Sequence, residues 1–463
     1  MISSERERFS RASPPAGEAM SAARLDGLPL KALHVAVACA AAVGFGIDLL
    51  EVSVSNALAA VFSAPPHALT SGMLSLLLAS VYLGAVIGAP LVGLLADRVG
   101  LKRALTGMLL WMGLMSVLAA ARPDPLWFSS FRFLSGIALG AYPPLMIAYL
   151  TAIAPPRYRG VLIFWVCGLA YLAPPLGVLL IRWLTPWQPF GIEGWRWPFL
   201  LAGAAAMLVG VVFWRLPESP QWLLQVGRFA LAERVLSRFE RSRTLLALDG
   251  WFQRRSGSGV PEAAHPRAPN RTIAKLFAFT LVLYALHPWA ASTFPLLTGP
   301  MLLKRGHDLN DALLYVAIAT FGPAVSTFVA GIWVDRVERR IAAIATCALM
   351  SLALGAFFGF DARGILMAAV IAYAVGVAIY TPTMTVYGAE MFPIQHRASA
   401  TGIAWAGNRI SAVLVPILML PWFTKDGARV VAIVVSATLV ATVVLILCFG
   451  PKDAATLRGH DPR

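Results

Sequence analysis

Twelve apolar stretches, each long enough to cross roughly 30 Å of hydrocarbon as a helix, recur along this chain and leave few folds open to it. They lie near 32–62, 72–96, 104–121, 127–154, 159–183 and 196–214, then near 272–299, 311–334, 341–360, 364–389, 398–421 and 428–450. Hydrocarbon offers no water to the backbone, so each stretch must satisfy its own N–H and C=O groups as a helix. The expected fold is an all-α membrane protein of twelve transmembrane helices arranged as two six-helix bundles. The expected divisions are an N-terminal tail (1–31), an N-terminal bundle (32–214), a central loop (215–271), a C-terminal bundle (272–450) and a C-terminal tail (451–463). The loop should carry short surface helices around 219–240. Only 13% of the residues are charged, against about a quarter in soluble domains.

A net charge of +15 raises the question of nucleic acid, but the basic residues fall in short loops between apolar runs and form no stripe. They follow the positive-inside rule, which puts both tails, the central loop and the turns at 98–103, 157–159 and 336–340 in the cytoplasm. The four cysteines lie inside apolar runs without metal-ligand spacing and read as core residues. Residues 1–31 are polar with no apolar core of a signal peptide and read as an unstructured tail.

An internal repeat can be checked by subtraction. Gly93, Asp97 and Arg98 recur as Gly331, Asp335 and Arg336, each 238 residues later. The same offset joins Gly84 to Gly322, Tyr142 to Tyr380, Pro144 to Pro382, Tyr149 to Tyr387, Pro155 to Pro393 and Arg159 to Arg397. Duplication of a six-helix unit explains one offset for all nine pairs. The basic turn Gly93, Asp97, Arg98, Lys102, Arg103 and its second copy Gly331, Asp335, Arg336, Arg340 read as paired gating elements. An Asp beside Arg and Lys forms a charge-assisted clasp that breaks when helices move. A plain basic turn is the simpler reading of either copy alone.

The turn Gly93-Leu94-Leu95-Ala96-Asp97-Arg98-Val99-Gly100-Leu101-Lys102-Arg103 resembles the signature of the major facilitator superfamily. Arg132-x-x-x-Gly136-x-x-x-Gly140, Pro155-x-x-x-Arg159-Gly160, Gly194-Trp195-Arg196-Trp197 and Pro217-Glu218-Ser219-Pro220-x-Trp222-Leu223 are similar to the sugar-porter pattern. Tyr387-Gly388-Ala389-Glu390-Met391-Phe392-Pro393, with Arg397, Asn408-Arg409 and Asp48-x-x-Glu51, looks more like the metabolite/proton symporters for aromatic acids and nicotinate and the synaptic-vesicle-related proteins. Two departures stand out: Ala152 replaces an acid three residues before Pro155, and Glu338 replaces a loop glycine. Glu390, Arg397 and Arg159 are the remaining gating candidates.

Asp48 and Glu51 sit three residues apart on one face of the first helix, with Ser55 a turn further on. A charge near the membrane centre costs a few kcal/mol or more unless paired or neutralised. Desolvation and a second acid both favour a protonated carboxyl, which suits proton exchange. Three readings stand: Asp48 and Glu51 carry a proton with Arg132 as modulator, Asp48 is the static partner of Arg132, or the acids touch substrate. The resemblance favours the first. Arg409, inside the eleventh helix beside Asn408, suits a carboxylate by a bidentate fork. His287, Tyr149 and Tyr380 complete the candidate substrate residues. Each has a packing reading as well.

Neither a phosphate loop nor a hydrolase elbow nor a metal-binding cluster occurs, so no cofactor, metal or enzymatic activity is expected. The resemblance implies a secondary active transporter of a bacterial inner membrane. It would act as a monomer on a small solute and protons within the lipid bilayer, without nucleic acid. Proton-coupled uptake of an organic acid is the expectation. The rivals are a sugar/proton symporter, a drug/proton antiporter and a non-transporting binding protein on a carrier fold.

Overall fold

The computed structural model describes residues 24, 27–122, 124–245, 270–333, 338–392 and 394–450. The first half holds α1 (Ala32–Ser63), α2 (Ser71–Val99), α3 (Leu101–Ala119), α4 (Pro125–Ile153), α5 (Pro156–Ala170), α6 (Ala173–Leu184) and α7 (Trp197–Arg215). Two short helices follow, α8 (Pro220–Gln225) and α9 (Phe229–Arg241), where the sequence predicts them. The second half holds α10 (Asn270–Ala291), α11 (Thr293–Lys304), α12 (Leu309–Trp333), α13 (Arg339–Gly359), α14 (Arg363–Glu390), α15 (Ile394–Asp426) and α16 (Ala428–Phe449).

Eleven crossings among the described residues are long and apolar enough to span a membrane, with α5–α6 and α10–α11 each contributing to one. The 25-residue α12 fills the twelfth position, and at about 1.5 Å per residue it is long enough to cross. The stretch 159–183 is expected as one helix, but it breaks at Tyr171–Leu172. Ala173-Pro174-Pro175 explains the break. Proline is suited to the first turn of a helix, where its missing N–H leaves no bond unmade, and it clashes inside a continuing one.

The tightest joint is between α2 and α4. A Cβ added at Gly84, Gly88, Gly136 or Gly140 would run into backbone of the facing helix: Phe133, Ile137, Val81 and Ala85 respectively. Small residues at this spacing let the two backbones touch, which is how apolar helices gain dispersion contact in lipid. The repeat carries over into packing. Gly322 of α12 lies against Ala374 of α14, whose Cβ an added Cβ at Gly322 would meet at 3.2 Å, and both are 238 residues beyond the Gly84 and Gly136 contact. Likewise α3 packs on α7 as α13 packs on α16.

The halves meet through α1 against α11 and α12, α2 against α15, and α6 against α12. Among the described residues the hydrogen bonds between halves sit at the end away from the basic turns. Ser75 Oγ donates to the Pro416 carbonyl at 3.0 Å, and Arg182 Nε donates to the Asn310 carbonyl at 3.1 Å. Gly299 rests on Ala60 at the same end. These contacts join the halves at the far end.

The structure corrects two smaller expectations. Cys39 and Cys448 are exposed rather than core, on surfaces that face lipid in a membrane. Of the polar tail, residues 27–31 and Arg24 are tied to the region of α9: Lys31 bridges to Thr244, and Arg24 Nη1 bonds Glu233 at 2.8 Å.

Substituting Gly88 or Gly136 by Val should lower the thermal midpoint of the detergent-purified protein, with overpacking costs of about 1–3 kcal/mol each. Gly107→Ala, at a site with nothing within 4 Å, should leave it unchanged. Equal midpoints for all three would remove the α2–α4 contact as a determinant of stability.

Candidate functional site

Glu51 of α1 and Arg132 of α4 form an ion pair sealed inside the first bundle. Arg132 Nη1 donates to Glu51 Oε2 at 3.0 Å, and the two side chains are 1% and 0% exposed. Arg132 Nη2 donates to the Glu51 carbonyl and to Ser55 Oγ, both at 3.0 Å, while Ser116 Oγ of α3 donates to Glu51 Oε1. The Phe199 ring lies 5.1 Å from the guanidinium carbon. Every contact falls at the level of Glu51 to Ser55, one turn past Asp48. The static pairing of Asp48 with Arg132 is thereby overturned: α4 passes α1 too far along the helix for it, and Glu51 takes the arginine.

Asp48 is left with a different environment. It is 4% exposed, and its Oδ1 has no hydrogen-bond partner among the described residues. Arg409 comes from α15 in the other half, close enough for its charge to act on Asp48, Tyr82 and His287. Among the described residues Arg409 itself has no hydrogen-bonded or ion-paired partner. A carboxyl lacking a donor and a guanidinium lacking an acceptor thus lie within each other's field, contributed by opposite halves.

Around Arg409 the second half supplies a polar aromatic wall. Asn408 Nδ2 donates to the Tyr284 carbonyl at 2.9 Å and contacts His287 Nδ1 at 3.3 Å. With Nδ1 accepting, the ring carries its hydrogen on Nε2 and donates it to Thr381 Oγ1 at 2.9 Å. His287 stacks on Tyr380 at a centroid distance of 5.3 Å, and Trp405 stands edge-on to His287 at 6.3 Å. His287, Asn408, Tyr380 and Arg409 are therefore brought together, with both histidine nitrogens satisfied. Tyr149 is not among them. It is fully buried near α8, where its hydroxyl donates to the Pro217 carbonyl at 2.5 Å.

A cavity of about 240 Å³ opens between the halves, lined by Ser53 and Asn56 of α1, Thr298 of α11, Thr320 of α12 and Tyr373 of α14. Sequence reasoning missed these residues. Asn56, a lone amide in an apolar run, was the available signal, while Thr298 and Thr320 resemble any membrane-helix threonine.

At the first basic turn the expected clasp takes another form. Asp97 and Arg98 are exposed, and Asp97 has no ion pair among the described residues. The acid at this joint is Glu218, whose Oε1 accepts from the backbone N–H of Lys102 at 2.9 Å and of Ser219 at 3.0 Å. A carboxylate at the start of α3 meets unpaired N–H groups and the positive end of the helix dipole. Gly100, at φ +106°, allows that approach, since a Cβ there would meet the Glu218 carboxylate. Trp222 Nε1 donates to the Asp97 carbonyl at 3.1 Å, and Lys102 Nζ to the Trp214 carbonyl at 3.0 Å. Arg103 is exposed, and Gly93 has open space around it. Arg159 Nε donates to the Ala154 carbonyl and Arg340 Nη2 to the Leu447 carbonyl, at 3.0 and 2.9 Å. Asp335 and Arg336, and the side-chain surroundings of Gly331, Glu390 and Arg397, lie outside the described residues.

Residues 35–455 match the family described as sugar (and other) transporters. The chain belongs to that family. Its transporter relatives include the niacin transporter NiaP of Acinetobacter baylyi, 25% identical over 448 residues covering 93% of this chain and 96% of that one. The arabinose-proton symporter of Bacillus subtilis is 24% identical over 413 residues, 83% of this chain and 86% of that one. In fold the chain is similar to the inward open conformation of the xylose transporter XylE from E. coli, with a TM-score of 0.73, 18% identity, and coverage of 92% of this chain and 99% of that one. As a sugar (and other) transporter it is an integral membrane secondary transporter of the major facilitator fold, not an enzyme.

The two acids should separate in stability measurements. Glu51→Gln or Arg132→Met alone strands a buried charge, or leaves its partner uncompensated, and should cost about 3–5 kcal/mol. The double variant should recover most of that, and Asp48→Asn should stay within about 1 kcal/mol, because no bond is lost. A loss in Asp48→Asn as large as in Glu51→Gln would contradict these assignments.

Proposed function

We propose that this transporter couples proton entry to uptake of a small organic acid across a bacterial inner membrane, with both termini in the cytoplasm. An aromatic monocarboxylate such as nicotinate is the candidate substrate, supported by the aromatic cluster of Tyr284, Tyr380, His287 and Trp405 in the half that carries Arg409. The observation that carries the reading is the placement on opposite halves of Asp48, whose Oδ1 has no donor, and Arg409, which has no acceptor, among the described residues.

Deprotonated Asp48 answers the charge of Arg409 across the cleft. A substrate carboxylate takes Arg409 by its planar fork, leaving Asp48 a buried anion without a counter-charge. Such a group binds a proton from solution rather than stay ionised. The loaded cleft is then neutral at both places, and the halves are free to rock. Glu51 keeps its own partner throughout and holds α1 on α4. Sugar/proton symport is the second reading. The Ser53, Asn56, Thr298 and Thr320 hydroxyls and amide of the 240 Å³ cavity favour it, since neutral polyols are recognised by such groups.

In proteoliposomes with an imposed proton gradient, Asp48→Asn should abolish gradient-driven nicotinate accumulation while keeping exchange between loaded compartments. Arg409→Gln should weaken carboxylate binding at least tenfold, the scale of one charge-assisted pair of about 1.5–3 kcal/mol. It should leave the binding of nicotinamide unchanged. Gradient-driven accumulation that survives Asp48→Asn removes the coupling role. A sugar taken up in preference to any carboxylate establishes the second reading instead.

Alternating access requires the contacts at the far end to part once in every cycle. Ala60→Cys with Gly299→Cys, in a background where Cys39 and Cys448 are Ser, should cross-link on oxidation and stop uptake, and reductant should restore it. Full uptake by the cross-linked protein would show that α1 and α11 do not part at this point.

A further inference from the structure

We propose that the groove between the start of α1 and α9 is a binding site for the headgroup of an anionic phospholipid. The groove, about 770 Å³ and open, is walled by Ala32, Leu33 and Ala36 on one side and by Arg234, Arg238 and Arg241 on the other. It lies apart from the transport cleft.

The amphipathic pattern of α9 builds the charged wall. Ala232, Leu236 and Phe239 are buried on one face, with Phe239 stacked on His34 of α1 at 4.7 Å. Arg234, Arg238 and Arg241 repeat the same spacing on another face and are all exposed. Like charges four residues apart repel, so such a triplet calls for an anion. The acids of α9 are not available for that role, because Glu233 and Glu240 pair with Arg24 at 2.8 and 2.9 Å. Among the described residues Arg234 Nε reaches only the Ala230 carbonyl and Arg238 Nη1 only the Arg215 carbonyl, each at 3.3 Å. Among the described residues Arg241 has no partner.

The other wall distinguishes a lipid from a soluble anion. From Ala36 an exposed apolar stripe runs along α1 through Cys39 and Val43, at helical spacing and on the outside of the bundle. That stripe is a path for an acyl chain. Trp214, 71% exposed and next to the Arg215 carbonyl that Arg238 holds, marks the headgroup level, where tryptophan anchors. The walls are fixed in advance: Lys31 Nζ bonds the Glu240 carbonyl at 3.0 Å, and Ser242 Oγ accepts from the Leu33 N–H at 3.1 Å. Three arginines at a membrane surface and an adjoining apolar path match a phosphate diester on a lipid tail.

The test uses the full-length protein in detergent, titrated with phosphatidylglycerol or phosphatidylcholine of identical chains and read by native mass spectrometry. The wild type should bind phosphatidylglycerol at least tenfold more tightly. Arg241→Gln, which breaks no bond of the fold, should cut that preference about fivefold, the worth of one basic residue near an anionic surface. Arg234→Gln/Arg238→Gln/Arg241→Gln should abolish it, and the triple Lys variant should keep it. Equal preference in the wild type and Arg241→Gln overturns the site. So does displacement of the lipid by equimolar glycerol 3-phosphate, which would make the groove a soluble-anion site.

Discussion

The Glu51–Arg132 pair governs what the rest of the cleft can do. Two fully buried charges are tolerable in a bilayer only when each satisfies the other, and here the arginine also takes the Glu51 carbonyl and Ser55 while Ser116 caps the second carboxylate oxygen. Arg132 is committed to Glu51 and Ser55 by these bonds. One acid on the face is spent on structure, and the other, Asp48, a turn away, has no donor to its Oδ1 among the described residues.

That division gives physical content to a fold made of two similar halves. Inside each half, glycine contacts and matched helix pairs make rigid units, of which the α2–α4 joint is the clearest. Between halves α1, α2 and α6 pack on α11, α12 and α15, and among the described residues the hydrogen bonds there are a serine to a carbonyl and an arginine to a carbonyl at the far end. Units held internally by close backbone packing and joined by sparse polar contacts are suited to rocking as bodies. Asp48 and Arg409 belong to opposite units, so in the proposed cycle such a motion would change their separation.

Much of this was legible in the residues. The repeat predicted not only a helix count but a contact, since Gly84 against Gly136 reappears as Gly322 against Ala374. The Pro217-Glu218-Ser219-Pro220 motif stood out by its composition, and Glu218 proved to hold the start of α3. Its partner was not legible. The sequence suggested Asp97 as the acid of the basic turn, being adjacent to the basic residues, whereas the Lys102 N–H at the start of α3 is met by a carboxylate 116 residues on.

By itself the sequence determined the all-helical class, the two six-helix halves and the set of intramembrane charges, because hydrocarbon permits only helices and makes every charge conspicuous. Tertiary structure alone decided which charge meets which. Pairing Arg132 with Glu51 instead of Asp48 depends on where α4 crosses α1, a shift of one turn that no spacing along either helix encodes. Bringing Arg409 towards Asp48 depends on how one half is placed against the other, and that placement is set by the packing of α1, α2 and α6 on α11, α12 and α15.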